Sequence, residues 1–439
     1  MAEWRDAQLS ELIDIKHGFA FKGEFFTDEP TGDILVTPGN FAIGGGFQLN
    51  KPKFYNGPVP KEYVLNPGDV IVTMTDLSKQ ADTLGFSAIV PVIKPRLLHN
   101  QRIGRVIAKD ASANLGFIAW LMRTRPYRHE IVGGATGSTV KHTSPGRILA
   151  HRFKLPSPKE QQDIVDVLQP LDDKIELNRR MNETLEGMAQ AIFRDWFVDF
   201  GPVRRALAGA TDPAAIMGGL TPDPARAAHL AALFPVAFGN DGLPVGWSER
   251  PLDSIAEFLN GLALQKHPAK PGEPDLPVIK IAELRNGLSE RSNRAARTLP
   301  AKYIIKDGDF IFSWSGSLMA KVWTEGEGAL NQHLFKVSSD VYPQWFYGLW
   351  VHHHMPEFQL IAASKATTMG HIQRMHLTNA ATVCPPEPTI EAMSAVMQPL
   401  WDRMIHNELE NRTLAETRDY LLPRLMSGAV RAAPQAEAA

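Results

Sequence analysis

The chain has a single cysteine, Cys384, among its 439 residues. One thiol forms no internal disulfide and no cysteine-rich zinc site, which excludes the small bridged scaffolds of secreted proteins and fits a reducing compartment. No apolar run reaches membrane-spanning length, and the opening "MAEWRDAQLS" is too polar for a secretory signal, so the expected location is the cytoplasm, with no membrane partner. Excess charge of either sign is missing as well: 46 Lys+Arg stand against 48 Asp+Glu, a net charge of −2 at pH 7. That balance disfavours a protein that grips nucleic acid by bulk charge; such binding would need local patches or a basic partner. Catalytic signatures are absent too. There is no Asn-Pro-Pro-Tyr or Asp-Pro-Pro-Tyr run, no G-x-x-x-x-G-K-[ST] phosphate loop and no P-D…E-x-K nuclease pattern. The glycine-rich "FAIGGGFQ" at 41–48 does not sit between a clear strand and helix, and reads as a turn rather than a cofactor cradle. "HHH" at 352–354 is not read as a metal site, because successive helical residues diverge by about 100° and cannot share one ion.

What is present is a repeat. "QPLDDKIELNRRMNETL" at 169–185 returns as "QPLWDRMIHNELENRTL" at 398–414, with Gln, Pro, Leu, Asp, two Asn, Thr and Leu in step. Trp4, Leu9 and Gly18 recur as Trp247, Leu252 and Gly261, with Ile13 against Ala256. "PGDVIV" at 67–72 recurs as "DGDFIF" at 307–312, "NQ" at 100–101 returns at 331–332, and Thr139 and His142 match Thr368 and His371. The spacing between copies shrinks along the chain, so the second half is a shortened copy.

Each half begins with short β-type runs punctuated by Gly, Pro, Asn and Asp: "DILVT", "DVIVTM" and "RIGRVIA" in one, "LPVIKI", "DFIFSW" and "HLFKV" in the other. A helical stretch follows in each, "LGFIAWLMRTRPYRHEI" and "PQWFYGLWVHHHMPEF". A long heptad pattern closes each half. Ile164, Leu168, Leu171, Ile175, Asn178, Asn182, Leu185, Ala189, Ile192 and Trp196 alternate at spacings of four and three, as do Met393, Met397, Leu400, Met404, Asn407, Asn411, Leu414, Arg418, Leu421 and Leu425. The expected fold class is α+β: two small mixed α/β domains separated by an antiparallel two-helix coiled coil, a pseudo-two-fold internal duplication. The expected boundaries are a domain at 1–155, a long helix at 156–200, a partly ordered Ala/Gly/Pro-rich linker at 201–246, a second domain at 247–386, a second long helix at 387–428 and a disordered tail at 429–439. Pro170 and Pro399 are expected to start a new helix or kink a continuing one. Asp199–Phe200–Gly201–Pro202 reads as a helix stop.

Asparagine on an apolar seam costs stability and fixes register, being satisfied best by another polar group in the same layer. With helices running in opposite directions, Asn178 would face Asn411 and Asn182 would face Asn407. The alternative places Asn178 and Asn182 on a solvated edge where the stripe drifts. A helix from 171 to 196 spans roughly 39 Å at about 1.5 Å per residue, close to the roughly 34–36 Å between successive major grooves on one face of B-DNA. Two divergent domains on such a spacer suit a two-part, asymmetric target.

The run "KLPSPKEQQDIVDVLQPLDDKIELNRRMNETLEGMAQAIFRDWFVDFGPV" resembles the central conserved region of the specificity subunit of type I restriction–modification enzymes, and "GSTVKHTSPGRI" at 137–148 resembles that family too. Over about residues 1–428 the chain follows the family's order of recognition domain, conserved helix, recognition domain, conserved helix. The resemblance implies a subunit that binds double-stranded DNA sequence-specifically and has no catalysis of its own. It further implies two docked methyltransferase subunits, which methylate adenine, and ATP-driven restriction/translocase subunits. S-adenosylmethionine, ATP and Mg would belong to those partners, and this chain would carry no cofactor or metal. The second half departs from the pattern: "TTMGHIQRMHL" replaces the "GSTVKH" run, and no "EQ" follows "PPEP". A role for Lys141 therefore does not carry over to Gln373 or Arg374.

Candidate DNA contacts follow from chemistry and position, since Asn, Gln, Arg and Lys read base edges while Ser, Thr and backbone amides hold phosphates. The first domain offers Lys16, His17 and Lys22 in "KHGFAFKGE", Thr75, Ser78, Lys79 and Gln80 in "TMTDLSKQ", Arg102 in "HNQR", and Ser138, Lys141 and His142 in "STVKH". The second offers Gln265 and Lys266 in "LQKH", Arg285 in "ELRNG", Ser315, Ser317 and Lys321 in "SWSGSLMAK", His333 in "NQH", and His371, Gln373 and Arg374 in "HIQR". The rival reading of each loop is a solvated turn. Asn100–Gln101, Asn331–Gln332, His142 and His371 occur in both copies, and shared residues suit loop shaping, capping or backbone contact better than discrimination. Arg194, Trp196 and Phe197 in "FRDWFVDF" are candidates for a methyltransferase dock, the rival being packing on the chain's own linker. A stand-alone architectural or regulatory DNA binder, and an enzyme hidden in the α/β domains, are the competing functional classes.

Overall fold

The computed structural model describes residues 4–50, 52–78, 80–221, 223–364 and 370–432, so Lys79, Thr368 and 433–439 of the expected tail lie outside the described residues. The chain divides into two compact units, residues 1–173 with 414–439 and residues 174–413. No helix among the described residues is long and apolar enough to cross a membrane.

The first unit is built on an antiparallel four-stranded sheet ordered Ile13–His17, Ile103–Ala108, Val70–Thr73, Ser87–Ile89. A five-stranded sheet lies beside it, with Arg96–His99 parallel to Asp33–Val36 at its centre. Alternation in "DVIVT" decides what joins them. Val70 and Val72 enter the core formed with Phe117, Trp120 and Tyr127 of the helices Leu115–Leu121 and Arg125–Gly133, whereas Ile71 enters the core with Ile34 and Leu97 of the neighbouring sheet. The second unit repeats the device in "DFIFS": Phe310 and Phe312 face the core of helix Gln344–Ser364, and Ile311 faces a separate cluster with Ile279 and Trp323. Its four-stranded sheet is ordered Glu257–Asn260, Leu334–Ser338, Phe310–Ser313, Met319–Val322, also antiparallel throughout.

The long helices are Pro158–Phe193 and Glu387–Met426. Both continue through their prolines, so of the two alternatives expected at Pro170 and Pro399 the new start does not occur. An interior proline forfeits a hydrogen bond and costs about 3 kcal/mol; seam packing around Leu168, Ile175 and Met397, all buried, offsets it. No seam residue of either helix is exposed. In the first unit Gln161 and Gln162 of "KEQQ" stitch the helix to its domain: Gln161 Oε1 accepts from the Asn114 amide at 3.1 Å, and Asn114 Nδ2 donates to Gln162 at 2.8 Å. Arg418, an oddity on an apolar seam, donates to Asp172 at 2.7 Å, and Arg123 holds the same carboxylate from the domain side. In the second unit Trp345 Nε1 donates to Ser394 at 3.0 Å and Trp401 Nε1 to Gln344 at 2.9 Å, binding the other long helix to its domain.

The asparagines are in contact in the pairs named above. Within the second unit Asn178 Nδ2 donates to Asn411 Oδ1 at 3.0 Å and to Glu410 at 2.8 Å, and Asn407 Nδ2 donates to Asn182 Oδ1 at 2.7 Å. The helix segments there run antiparallel. Asn178→Leu leaves the Asn411 Oδ1 acceptor without its donor in this layer and should cost about 1–3 kcal/mol, read as a shift in the denaturant midpoint. Adding Asn411→Leu should recover most of that loss, because both polar partners are then gone.

The first long helix ends where expected. Its last turn widens over Arg194–Val198 and Phe200 turns left-handed at φ 52°. Residues 201–246, however, are no partly ordered linker. Helices Gly201–Leu207, Pro213–Ile216 and Pro224–Leu233 bury Val203, Met217, Ala227, Leu230 and Phe234 in the second unit's main core. Local chemistry starts two of them: Asp212 caps the Ala215 amide at 2.8 Å and Asp223 caps that of Ala225 at 3.0 Å, each followed by proline in the first turn. The tail reading is also corrected in part, since the Val430 amide donates to the Arg424 carbonyl at 3.1 Å and Arg431 pairs with Glu160.

Candidate nucleic-acid interface

Four of the first-domain loops are joined edge to edge by their backbones. The Phe19 amide donates to the His99 carbonyl at 2.8 Å, and the Gln101 amide returns a bond to Phe19 at 2.9 Å. The Met74 amide donates to Arg102 at 3.0 Å, the Thr143 amide donates to Met74 at 3.0 Å, and Lys141–His142 pairs as a short strand with Thr75–Asp76. Gly18 is required where the loops meet: a Cβ there would lie 2.1 Å from the Asn100 carbonyl oxygen. The second unit repeats the scheme. Leu262 donates to the Leu330 carbonyl at 3.0 Å, Gln332 to Leu262 at 2.9 Å, Trp314 to His333 at 3.4 Å and Ile372 to Trp314 at 3.0 Å, with Ser315 bridged to His371. Gly261 repeats the close approach, 2.2 Å from the Asn331 carbonyl oxygen.

The side chains on this shared frame differ. In the first unit Lys16, His17, Arg102, Lys141 and His142 stand on adjoining segments, with Ser78, Gln80 and Ser138 on the loops that leave them. Neither Arg102 nor Lys141 has a carboxylate partner among the described residues, whereas Lys16 lies 4.8 Å from the Tyr63 ring centroid and Lys22 pairs with Glu24 at 3.7 Å. In the second unit Ser315, His333 and His371 meet around Trp314, whose ring lies 5.8 Å from His333 and 6.3 Å from His371. Gln265 and Lys266 are exposed on the turn Leu264–Lys266; Ser317 and Lys321 sit on the hairpin after Phe310–Ser313. Gln373 and Arg374 open the helix Arg374–Asn379, and Arg374 donates to the Phe258 carbonyl at 3.1 Å. Arg285 stands apart on the helix Ile281–Asn286.

Two corrections and one difference between the units follow. Thr75 and Ser315, 5% and 3% exposed, cannot hold phosphates. Their hydroxyls instead bond His142 Nδ1 at 3.2 Å and His333 Nδ1 at 3.0 Å, orienting those rings from behind. The residue opposite Asp76 in the first unit is the cation Lys141, but in the second unit the corresponding amide bond runs from Gly316 to Gly370, so the frame carries no cation there. Finally, Trp196 and Phe197 are wholly buried among Phe234, Trp247, Trp345 and Phe346, so they are no docking surface. Arg194 is exposed and pairs with Asp199 at 3.1 Å. Trp314 is absent from the candidates because base readers were sought among Asn, Gln, Arg and Lys; its Nε1 donates to Asn260 Oδ1 at 3.0 Å, and its position directly after "DFIFS" was the available signal.

Residues 1–187 match the family described as Type I restriction modification DNA specificity domain. The matched residues carry that domain, and the chain as a whole is similar to type I restriction enzyme specificity subunits. It is 25% identical over 358 residues to the MjaIX specificity subunit of Methanocaldococcus jannaschii, covering 78% of this chain and 75% of that one. It is 26% identical over 315 residues to the HindI specificity subunit of Haemophilus influenzae, covering 63% and 69%. Its fold is similar to that of the type I S subunit from M. genitalium, with a TM-score of 0.56 at 13% identity over 96% of each chain.

Proposed function

We propose that this chain is a specificity subunit that reads a bipartite, asymmetric DNA site, one part with each loop cluster, and docks methyltransferase and restriction subunits that perform all the chemistry in the cytoplasm. The observation that carries the reading is the recurrence of one backbone hydrogen-bond scheme, Gly18–Asn100–Met74–Thr143 and Gly261–Asn331–Trp314–Ile372, beneath different side chains. A common frame with divergent faces is what two readers of different sequences need, and it supports the two units as diverged copies. S-adenosylmethionine, ATP and Mg are assigned to the partners.

The test is titration of labelled DNA bearing the host's methylated motif, with this chain alone and with its methyltransferase. Selective binding that needs the partner supports the reading. Equal affinity for motif and scrambled DNA in the presence of the partner sinks it, and tight, steeply salt-dependent binding by the chain alone would make it a free-standing DNA binder instead. Arg102→Ala and Lys141→Ala should each cost about 1–3 kcal/mol in binding and relax base preference in one half of the site while leaving the other half selective, as expected for base contacts.

A further inference from the structure

The frame repeats, but one connection does not. Between Val70–Thr73 and Ser87–Ile89 the first unit inserts residues 74–86, where the second unit turns from Phe310–Ser313 to Met319–Val322 through 314–318 alone. The longer connection is fastened at both ends. At one end stands Asp76, 3% exposed. Its carboxylate accepts the Ser78 amide at 2.6 Å, the Thr83 hydroxyl at 2.7 Å and the Thr83 amide. Burial alone would raise the pKa of this carboxyl; the hydrogen bonds from Ser78 and Thr83 outweigh that and hold it below its ordinary value. At the other end Arg128, its guanidinium 3.9 Å from the Phe86 ring centroid, donates to the Ala81 carbonyl at 2.9 Å. Ala81 is buried with φ 56°, a left-handed conformation that costs a residue with a Cβ roughly 1–2 kcal/mol. Such strain persists only where the surroundings over-determine it. The clamp's outward product is Leu77, 62% exposed beside a buried aspartate, with Gln80 exposed beyond it.

We propose that Leu77, presented outward beside the Asp76 clamp, is a base-reading residue with no counterpart in the second unit, and that Asp76 and Arg128 are positioning residues that set base selection in one half of the DNA site. This rests on the DNA-reading assignment above. Neither positioning residue touches DNA; each removes loop freedom that binding would otherwise have to remove. Leu77 is the apolar member of the loop, suited to a thymine methyl in the major groove.

The experiment is selection from a randomised duplex library by the full chain with its methyltransferase partner. The wild type should enrich a split motif. Asp76→Asn, whose amide nitrogen cannot accept a bond, should flatten selection at the bases of one half by tenfold or more and leave the other half untouched. Ala81→Gly is the control for folding, because glycine adopts φ 56° freely: it should flatten the same half with an unfolding temperature no lower than that of the wild type. Leu77→Ala should lose preference for thymine over uracil at one position of that half. Equal losses in both halves, or unchanged selection by Ala81→Gly, overturn the proposal. A wild type that enriches no motif would instead refute the DNA-reading assignment itself.

Discussion

Trp196→Ala should unfold the second unit rather than release a partner. The indole has no exposed surface and packs against Phe234 from the 201–246 segment and against Phe197, which in turn touches Trp247, Trp345, Phe346 and Trp350. Removing a buried tryptophan costs about 3–5 kcal/mol, part transfer and part cavity. For a unit of this size that is roughly 10 °C or more in unfolding temperature. Trp196→Phe should be much milder. It keeps an aromatic ring in the cluster and deletes an indole N–H that is buried without a hydrogen-bond partner among the described residues. Calorimetry of the full chain reads both variants. A Trp196→Ala protein with an unchanged melt and lost methyltransferase binding would restore the docking assignment.

Acidification should destabilise both units between about pH 6.5 and 4, chiefly through buried His99 in the first and half-buried His352 in the second. His99, in the first unit, offers Nε2 to the Ile103 carbonyl at 2.9 Å, while its Nδ1 is buried with no partner among the described residues. His352, in the second, lies against the Phe310 ring. Burial pushes each imidazole down to about 4. Because the folded pKa lies below the unfolded value near 6.5, the unfolded chain binds more protons in that window, and stability falls as pH falls. Each histidine should account for about 2 kcal/mol of loss by pH 5, from about 1.4 kcal/mol per pKa unit. His352→Phe should flatten the pH dependence of the second unit's melting and leave that of the first. A melt equally steep in acid after this change would place the proton uptake elsewhere.

The sequence made the periodic features legible because they are local. Alternation in "DVIV" and "DFIF" fixes which side of a strand is apolar, and the seam spacing fixes which face of each long helix is buried. The asparagine layers could be paired by eye, since a polar residue on a seam has few acceptable neighbours. The duplicated "NQ" and histidine positions lie together on the backbone frame of each unit, whereas the "GD" turns sit at the opposite ends of the strands that lead to it. Individual roles were less legible. Thr75 and Ser315 look like phosphate ligands in a string of polar residues, and only the path of the neighbouring strands turns them inward onto histidines.

Composition misled where partners lie far off in sequence. An Ala/Gly/Pro-rich stretch reads as a linker, but Asp-Pro caps start helices in it and Trp196, Trp247 and Trp345 supply the apolar surface that holds them. Asp76 and Arg128 became a clamp only when a helix from residues 125–133 was laid beside the 74–86 loop. By itself the sequence determined the repeat, the seams and the family resemblance, all properties of residues read in order. Tertiary structure alone decided which aromatics are core, which hydroxyls face inward and which loop is preset, because burial is set by contacts between segments scores of residues apart.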